Sequence, residues 1–96
     1  MPVKRSVKHC KLPGKSIRSI EEFYDAIARK LQLPEYFGRN LDALWDVLTT
    51  DIAGPVEIVW EDSAASKKSM GKDFEKVLTL LRDVEKERGD FGVTFR

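Results

Sequence analysis

Two aspartates four residues apart, Asp42 and Asp46, are the residues whose type and spacing could do chemistry. On a helix that spacing places both carboxylates on one face. A carboxylate pair can act as general acid and base, but it needs a concave pocket to hold a substrate between its members. The same pair is also what a solvated helix face carries, and spacing alone leaves both readings open. Trp45 stands beside them, and Tyr36 and Phe37 come just before the segment. Aromatic rings give rigid contact area and carboxylates give charge complementarity, so this cluster also suits a surface that docks another protein. The competing reading is that Trp45 and Phe37 complete a small core.

Other chemistry is sparse. The single histidine, His9, has no Ser, Cys or Asp constellation near it, and no Cys/His cluster has zinc spacing, so no catalytic centre, metal or cofactor is expected. The six glycines stand singly, and none forms a phosphate-cradling loop. One cysteine, Cys10, excludes an intrachain disulfide and suits a reducing compartment. No apolar run approaches the roughly 18 residues of a membrane span. The basic start MPVKRS is not followed by an apolar stretch of the kind a secretion signal has. Cytoplasmic residence, with no membrane partner, is the expectation.

The net charge of +1 is unevenly distributed: +6 over residues 1–18, −7 over 19–66 and +2 over 67–96. A total near zero argues against a general nucleic-acid binder, and the basic start lacks the interleaved aromatics of a stacking platform. The acidic middle can steer a basic partner.

The elements that must position these residues fit one domain of 96 residues. Residues 6–12 alternate weakly, with Val7, His9 or Cys10, and Leu12 as inward candidates, and read as an edge strand ended by Pro13-Gly14. Ser19 and Glu22 form a capping box, with the Glu22 carboxylate reaching back to the Ser19 amide. Ile20, Phe23, Ile27 and Leu31 follow at helical spacing to about Gln32, where Pro34 forbids more. In the loop 33–40, Gly38 permits a left-handed turn and Asn40 is a good N-cap. A second helix over about 41–50 buries Leu41, Leu44, Val47 and Leu48, leaving Asp42, Trp45, Asp46 and Thr49 on another face. Val56–Trp60 is the strongest strand, opened by Pro55. Residues 62–70 are a short helix or an irregular loop. A long helix from about Lys72 to Arg88 buries Phe74, Val77, Leu78, Leu81 and Val84 and is stopped by Gly89. Phe91, Val93 and Phe95 alternate in a last strand. Strands separated by helical crossovers imply an α/β fold, a small three-stranded parallel sheet packed with three to four helices.

The run from Leu33 to Thr49, LPEYFGRNLDALWDVLT, closely resembles the signature of the barstar family. The likeness extends more weakly from about Lys8 to Arg96, through Ile17-Arg18-Ser19-Ile20, Trp60 and Arg82-Asp83. Residues 1–7 then read as an extension of a single barstar-like domain. The resemblance implies the same sheet-and-helix fold, and a protein that is not an enzyme but inhibits one: a small secreted ribonuclease of the barnase type, blocked by a protein that is monomeric when free and touches no nucleic acid itself. It also implies a contact surface. Tyr36, Phe37, Gly38 and Asn40 match the contacting loop, and Asp42, Trp45, Asp46 and Thr49 match the contacting helix face. Asp46 takes the place of the central aspartate that enters the phosphate pocket. Asp83 and Glu87 match acids on the last helix, and Thr50 falls in the same contact stretch. Trp60 matches a core tryptophan. The chain departs from the family's best-known member at Phe37, where that member has tyrosine, at Arg39, where it has an acid, and at Thr50-Asp51, where it has Gly-Trp. A barstar-like immunity protein or regulator with a different toxin or protein partner is the alternative.

Overall fold

The structure, a computed structural model, describes residues 7–96. The expected extension over residues 1–7 lies, Val7 apart, outside the described residues. Strand β1 spans Lys8–Pro13, and its alternation resolves the inward set: Cys10 and Leu12 are fully buried, while Val7 and His9 are exposed. Burial pushes the Cys10 thiol up to about 11, so it stays protonated at neutral pH. A 3-10 turn, Gly14–Ser16, follows. Glycine is needed at its start, because a Cβ on Gly14 would run into the carbonyl oxygens of Glu61 and Asp62.

Helix α1 (Ile20–Leu31) is capped by Ser19, whose hydroxyl accepts the Glu22 amide at 3.1 Å. The second half of the expected box is displaced by one residue. The Glu22 carboxylate accepts the amide of Arg18 at 3.0 Å rather than that of Ser19. Phe23, Tyr24, Ala26, Ile27 and Leu31 face the core. The helix ends where Gln32 turns left-handed, with φ of 54°.

Helix α2 covers Leu41–Asp46 and passes into a π-helical turn, Val47–Asp51, where the Ile52 amide reaches back to the Val47 carbonyl at 3.1 Å. The expected regular helix to residue 50 is therefore four residues shorter. Strand β2 (Val56–Glu61) follows, then helices α3 (Ser63–Met70) and α4 (Lys72–Glu87), and strand β3 (Phe91–Phe95). Within the segment 62–70, Ser63–Met70 is thus helical, preceded by left-handed Asp62 and separated from α4 by Gly71 at φ 61°. Gly89 does not end α4 by turning left-handed. Arg88 leaves the helix in extended geometry, and Gly71 is the glycine with positive φ among the described residues.

The three strands are parallel in the order β1-β2-β3, so β1 is an edge as expected. In register, Cys10, Ile58 and Val93 lie side by side, as do Leu12, Trp60 and Phe95. These positions face the helices and join them in one core. The opposite face carries His9, Lys11 and Thr94, all exposed, with Glu57, Val59 and Glu61 half-buried.

Trp60 is the centre of the core, with no exposed surface. Its ring stacks on Phe23 at 5.2 Å and meets Phe74 edge-on at 5.1 Å. Its indole N–H donates to the hydroxyl of Ser66 at 3.0 Å, and that hydroxyl donates to the Gly14 carbonyl at 2.7 Å. Ser66 is the buried polar side chain of α3, and the relay satisfies it. At the outer edge of β3, Val93 donates its amide to the Glu85 carboxylate at 2.9 Å and accepts Arg82 on its carbonyl at 3.2 Å. Arg82 and Glu85 also pair with each other at 2.8 Å.

Candidate functional site

The site is built on the loop 32–40, α2 and the π turn. Asn40 caps α2: its Oδ1 accepts the Ala43 amide at 2.8 Å, while its Nδ2 donates to the Gly38 carbonyl at 3.3 Å. The apolar stripe then fixes the rotation of the helix. Leu44, Val47 and Leu48 are buried, and Leu41 packs on the core from a half-buried position. With that stripe inside, Asp42 and Asp46 must face out, and both are exposed. Neither carboxylate has a hydrogen-bond or ion-pair partner among the described residues. Trp45 lies at the boundary, half-buried and packed against the core edge.

The threonines of the π turn serve the backbone. Thr49 donates to the Trp45 carbonyl at 2.7 Å, and Thr50 donates to the Asp46 carbonyl. Their hydroxyls supply the helix end with partners that a regular ladder lacks there. Arg88 closes the turn from the far side of the chain. It donates to the carbonyls of Leu48 and Ile52 at 2.7 and 2.8 Å while pairing with Asp90 at 2.8 Å.

In the loop, Phe37 donates its amide to the Pro34 carbonyl at 2.9 Å, which forms a tight turn with Tyr36 near its apex. Tyr36 is 76% exposed, and its hydroxyl donates to the Asp51 carboxylate at 3.0 Å. That bond, together with the negative charge of Asp51, raises the phenol's pKa above the ordinary 10.0. Phe37 turns inward and meets Tyr24 edge-on at 5.9 Å. The expected left-handed residue is misassigned by one position: Arg39, not Gly38, takes positive φ, at 52°. Its guanidinium pairs with Asp25 at 2.8 Å and Glu21 at 3.2 Å, and lies 5.9 Å from the Tyr24 ring centre.

The structure thus brings Tyr36, Gly38, Asn40, Asp42, Trp45, Asp46, Thr49 and Thr50 onto one continuous stretch of surface-forming chain. Asp83 and Glu87 are exposed on α4, which packs against α2 and the π turn, and among the described residues no hydrogen bond or ion pair joins either of them to the α2 set. The described surface includes shallow depressions of about 490 and 190 Å³. Asp42 and Asp46 line neither. Arg88 is a contributor that sequence reasoning missed, and for Asp51 and Arg39, noted there only as departures from the family's best-known member, it missed the contacts they make. Each works by a long-range contact that no local pattern encodes. No helix among the described residues is long and apolar enough to cross a membrane.

Comparison with known proteins gives a consistent result. A family profile described as "Barstar (barnase inhibitor)" matches residues 7–96. The chain is also 34% identical over 79 residues to a Bacillus subtilis (strain 168) protein named "Putative ribonuclease inhibitor YrdF", a match covering 82% of this chain and 87% of that one.

Proposed function

The chain belongs to the barstar family, and from that premise we propose that it inhibits a small secreted ribonuclease of the barnase type by seating α2 and the loop before it in the enzyme's active site. The observation that carries this reading is the pair of exposed carboxylates, Asp42 and Asp46, without hydrogen-bond or ion-pair partners among the described residues, beside Trp45. A ribonuclease must gather cationic and hydrogen-bonding groups to hold phosphate. A carboxylate on an exposed helix face offers those groups the charge and acceptor geometry of a phosphate oxygen, while the rest of the helix shuts out substrate. Asp46 is assigned the phosphate-mimicking role, with Asp42, Trp45 and Thr49 around it and Tyr36 at the rim. Asp83 and Glu87 add peripheral negative charge from α4. Phe37 and Asn40 act through the loop and the cap they hold. The protein performs no catalysis and acts as a monomer in the cytoplasm of the cell that makes the enzyme.

The test is a titration of barnase and a panel of related small ribonucleases with the purified protein, reading RNA cleavage. Stoichiometric loss of cleavage with one panel member supports the proposal. Full activity of every member at micromolar inhibitor overturns it. A second reading, immunity against a different toxin, is favoured by one observation: Asp51, which replaces an aromatic position of the family's best-known member, is engaged with Tyr36. Capture of a nuclease outside the barnase type would select that reading.

A further inference from the structure

Arg39 and Asp51 both lie where the chain departs from its family's best-known member, and both make contacts that converge on the same loop. Asp51 belongs to the π turn, and its Oδ2 accepts the Tyr36 hydroxyl from across the loop. Its other oxygen, Oδ1, lies 3.1 Å from the Thr50 hydroxyl, whose single proton is shared with the Asp46 carbonyl. Arg39 stands at the loop's exit. Its Nη1 pairs with Asp25 and its Nη2 donates both to the Glu21 carboxylate and, at 3.3 Å, to the Glu21 carbonyl. Two acids of α1 therefore absorb the positive charge that this residue brings to the region. Left-handed backbone disfavours a residue with a side chain, and these contacts are what hold Arg39 there.

We infer that Asp51 and Arg39 are positioning residues: they fasten the loop 33–40 to the π turn and to α1, so that Tyr36 is presented in its binding arrangement before a partner arrives. The inference rests on the inhibitory reading above for its consequence, but the fastening itself is a property of the free protein. Ordering a loop on binding subtracts from affinity, and a loop ordered in advance avoids that loss. The guanidinium fork matters as well as the charge, since it sets one nitrogen on Asp25 and the other on Glu21, and lysine has a single nitrogen to place.

The experiment begins with amide hydrogen exchange of the free protein, read at the Phe37 amide, which closes the turn beneath Tyr36. Amides of α4 serve as the control that the fold is intact. Asp51→Ala and Arg39→Lys should speed Phe37 exchange several-fold and leave α4 unchanged. Asp51→Asn keeps an acceptor for the tyrosine hydroxyl and discards the charge, so it should exchange like the parent. Affinity for barnase should follow the same order, with a loss of about tenfold for Asp51→Ala and little for Asp51→Asn. Unchanged Phe37 protection in Asp51→Ala, or Asp51→Asn behaving like Asp51→Ala, overturns the inference, because the residue then acts through charge or not at all. If the parent protein does not bind barnase, the partner assignment fails while the exchange result still decides whether the loop is fastened.

Discussion

Replacing Ser66 with alanine removes one oxygen atom from the core and should destabilise the whole domain. Ser66 is fully buried and stands between the Trp60 indole N–H, at 3.0 Å, and the Gly14 carbonyl, at 2.7 Å. The carbonyl keeps a second partner in the Ile17 amide, at 3.2 Å. The indole N–H keeps none. Leaving one buried donor unmet costs about 1–3 kcal/mol. Alanine returns about 0.5 kcal/mol through its better helix propensity. The net loss is about 1–2 kcal/mol, and the melting temperature of a domain this size should fall by on the order of 10 °C. Urea melts followed by circular dichroism give the stability without relying on tryptophan fluorescence. The cycle is completed with Trp60→Phe, which deletes the donor. In that background Ser66→Ala should cost about 1 kcal/mol less than it does alone. The reasoning fails if Ser66→Ala is as stable as the parent, or if its cost is the same in both backgrounds. The rings of Trp60, Phe23, Tyr24 and Phe37 stand in sequence, at 5.2, 5.8 and 5.9 Å, leading from this relay to the loop 33–40.

Four further outcomes are expected. Asp46→Ala should weaken inhibition by about 3–5 kcal/mol, through cations left unpaired in the enzyme, a size with precedent in this inhibitor family. Asp42→Ala should cost less, both should melt within about 0.5 kcal/mol of the parent, and equal small affinity losses would reject Asp46 as the phosphate mimic. Trp45→Ala should impair binding more than folding, whereas Trp60→Ala should unfold the domain or cost about 3–5 kcal/mol, and urea melts paired with binding titrations separate the two. Association measured by stopped flow should slow with added salt, since opposite charges are screened beyond about 8 Å at physiological ionic strength; a rate indifferent to salt would contradict steering by the acidic middle of the chain. The Tyr36 hydroxyl donates to Asp51 only while protonated, so its stabilising effect is complete below pH 10.0 and is lost as pH rises through its raised value. Ultraviolet titration should find this phenol titrating at lower pH in Asp51→Ala than in the parent.

The parts of the fold written as periodicity could be read directly. Alternation in Val56–Trp60 and helical spacing in Phe74, Val77, Leu81 and Val84 each bury one face, and those faces assemble as expected. The outward placement of Asp42 and Asp46 followed from the same logic once Leu44 and Leu48 were assigned to the core. What could not be read depends on partners distant in sequence. The π turn after α2 is closed by Arg88, which lies 36 and 40 residues from the carbonyls it caps. Residues 62–70 read equally as a short helix or a loop, and the burial of Ser66 there makes sense only beside the Trp60 indole. Arg39, not Gly38, is left-handed, and its side chain pairs with two acids of α1 that no local pattern points to. The tyrosine tether spans 15 residues and leaves no local trace.

The treatment of the last strand has a bearing on how such a protein can be used by a cell. An agent that works by one-to-one occupancy is needed in numbers that match its target, so it must tolerate crowding with copies of itself. A bare strand edge at high concentration invites pairing between molecules and, from there, insoluble assemblies. Arg82 and Glu85 occupy the outward amide and carbonyl of Val93 with their own side chains, standing in for the neighbour that another molecule would supply. The other edge, β1, carries exposed Lys8 and Lys11 and ends in Pro13, which has no amide hydrogen to offer. One border is thus engaged at Val93, and the other carries like charges and a proline, both of which discourage pairing between copies.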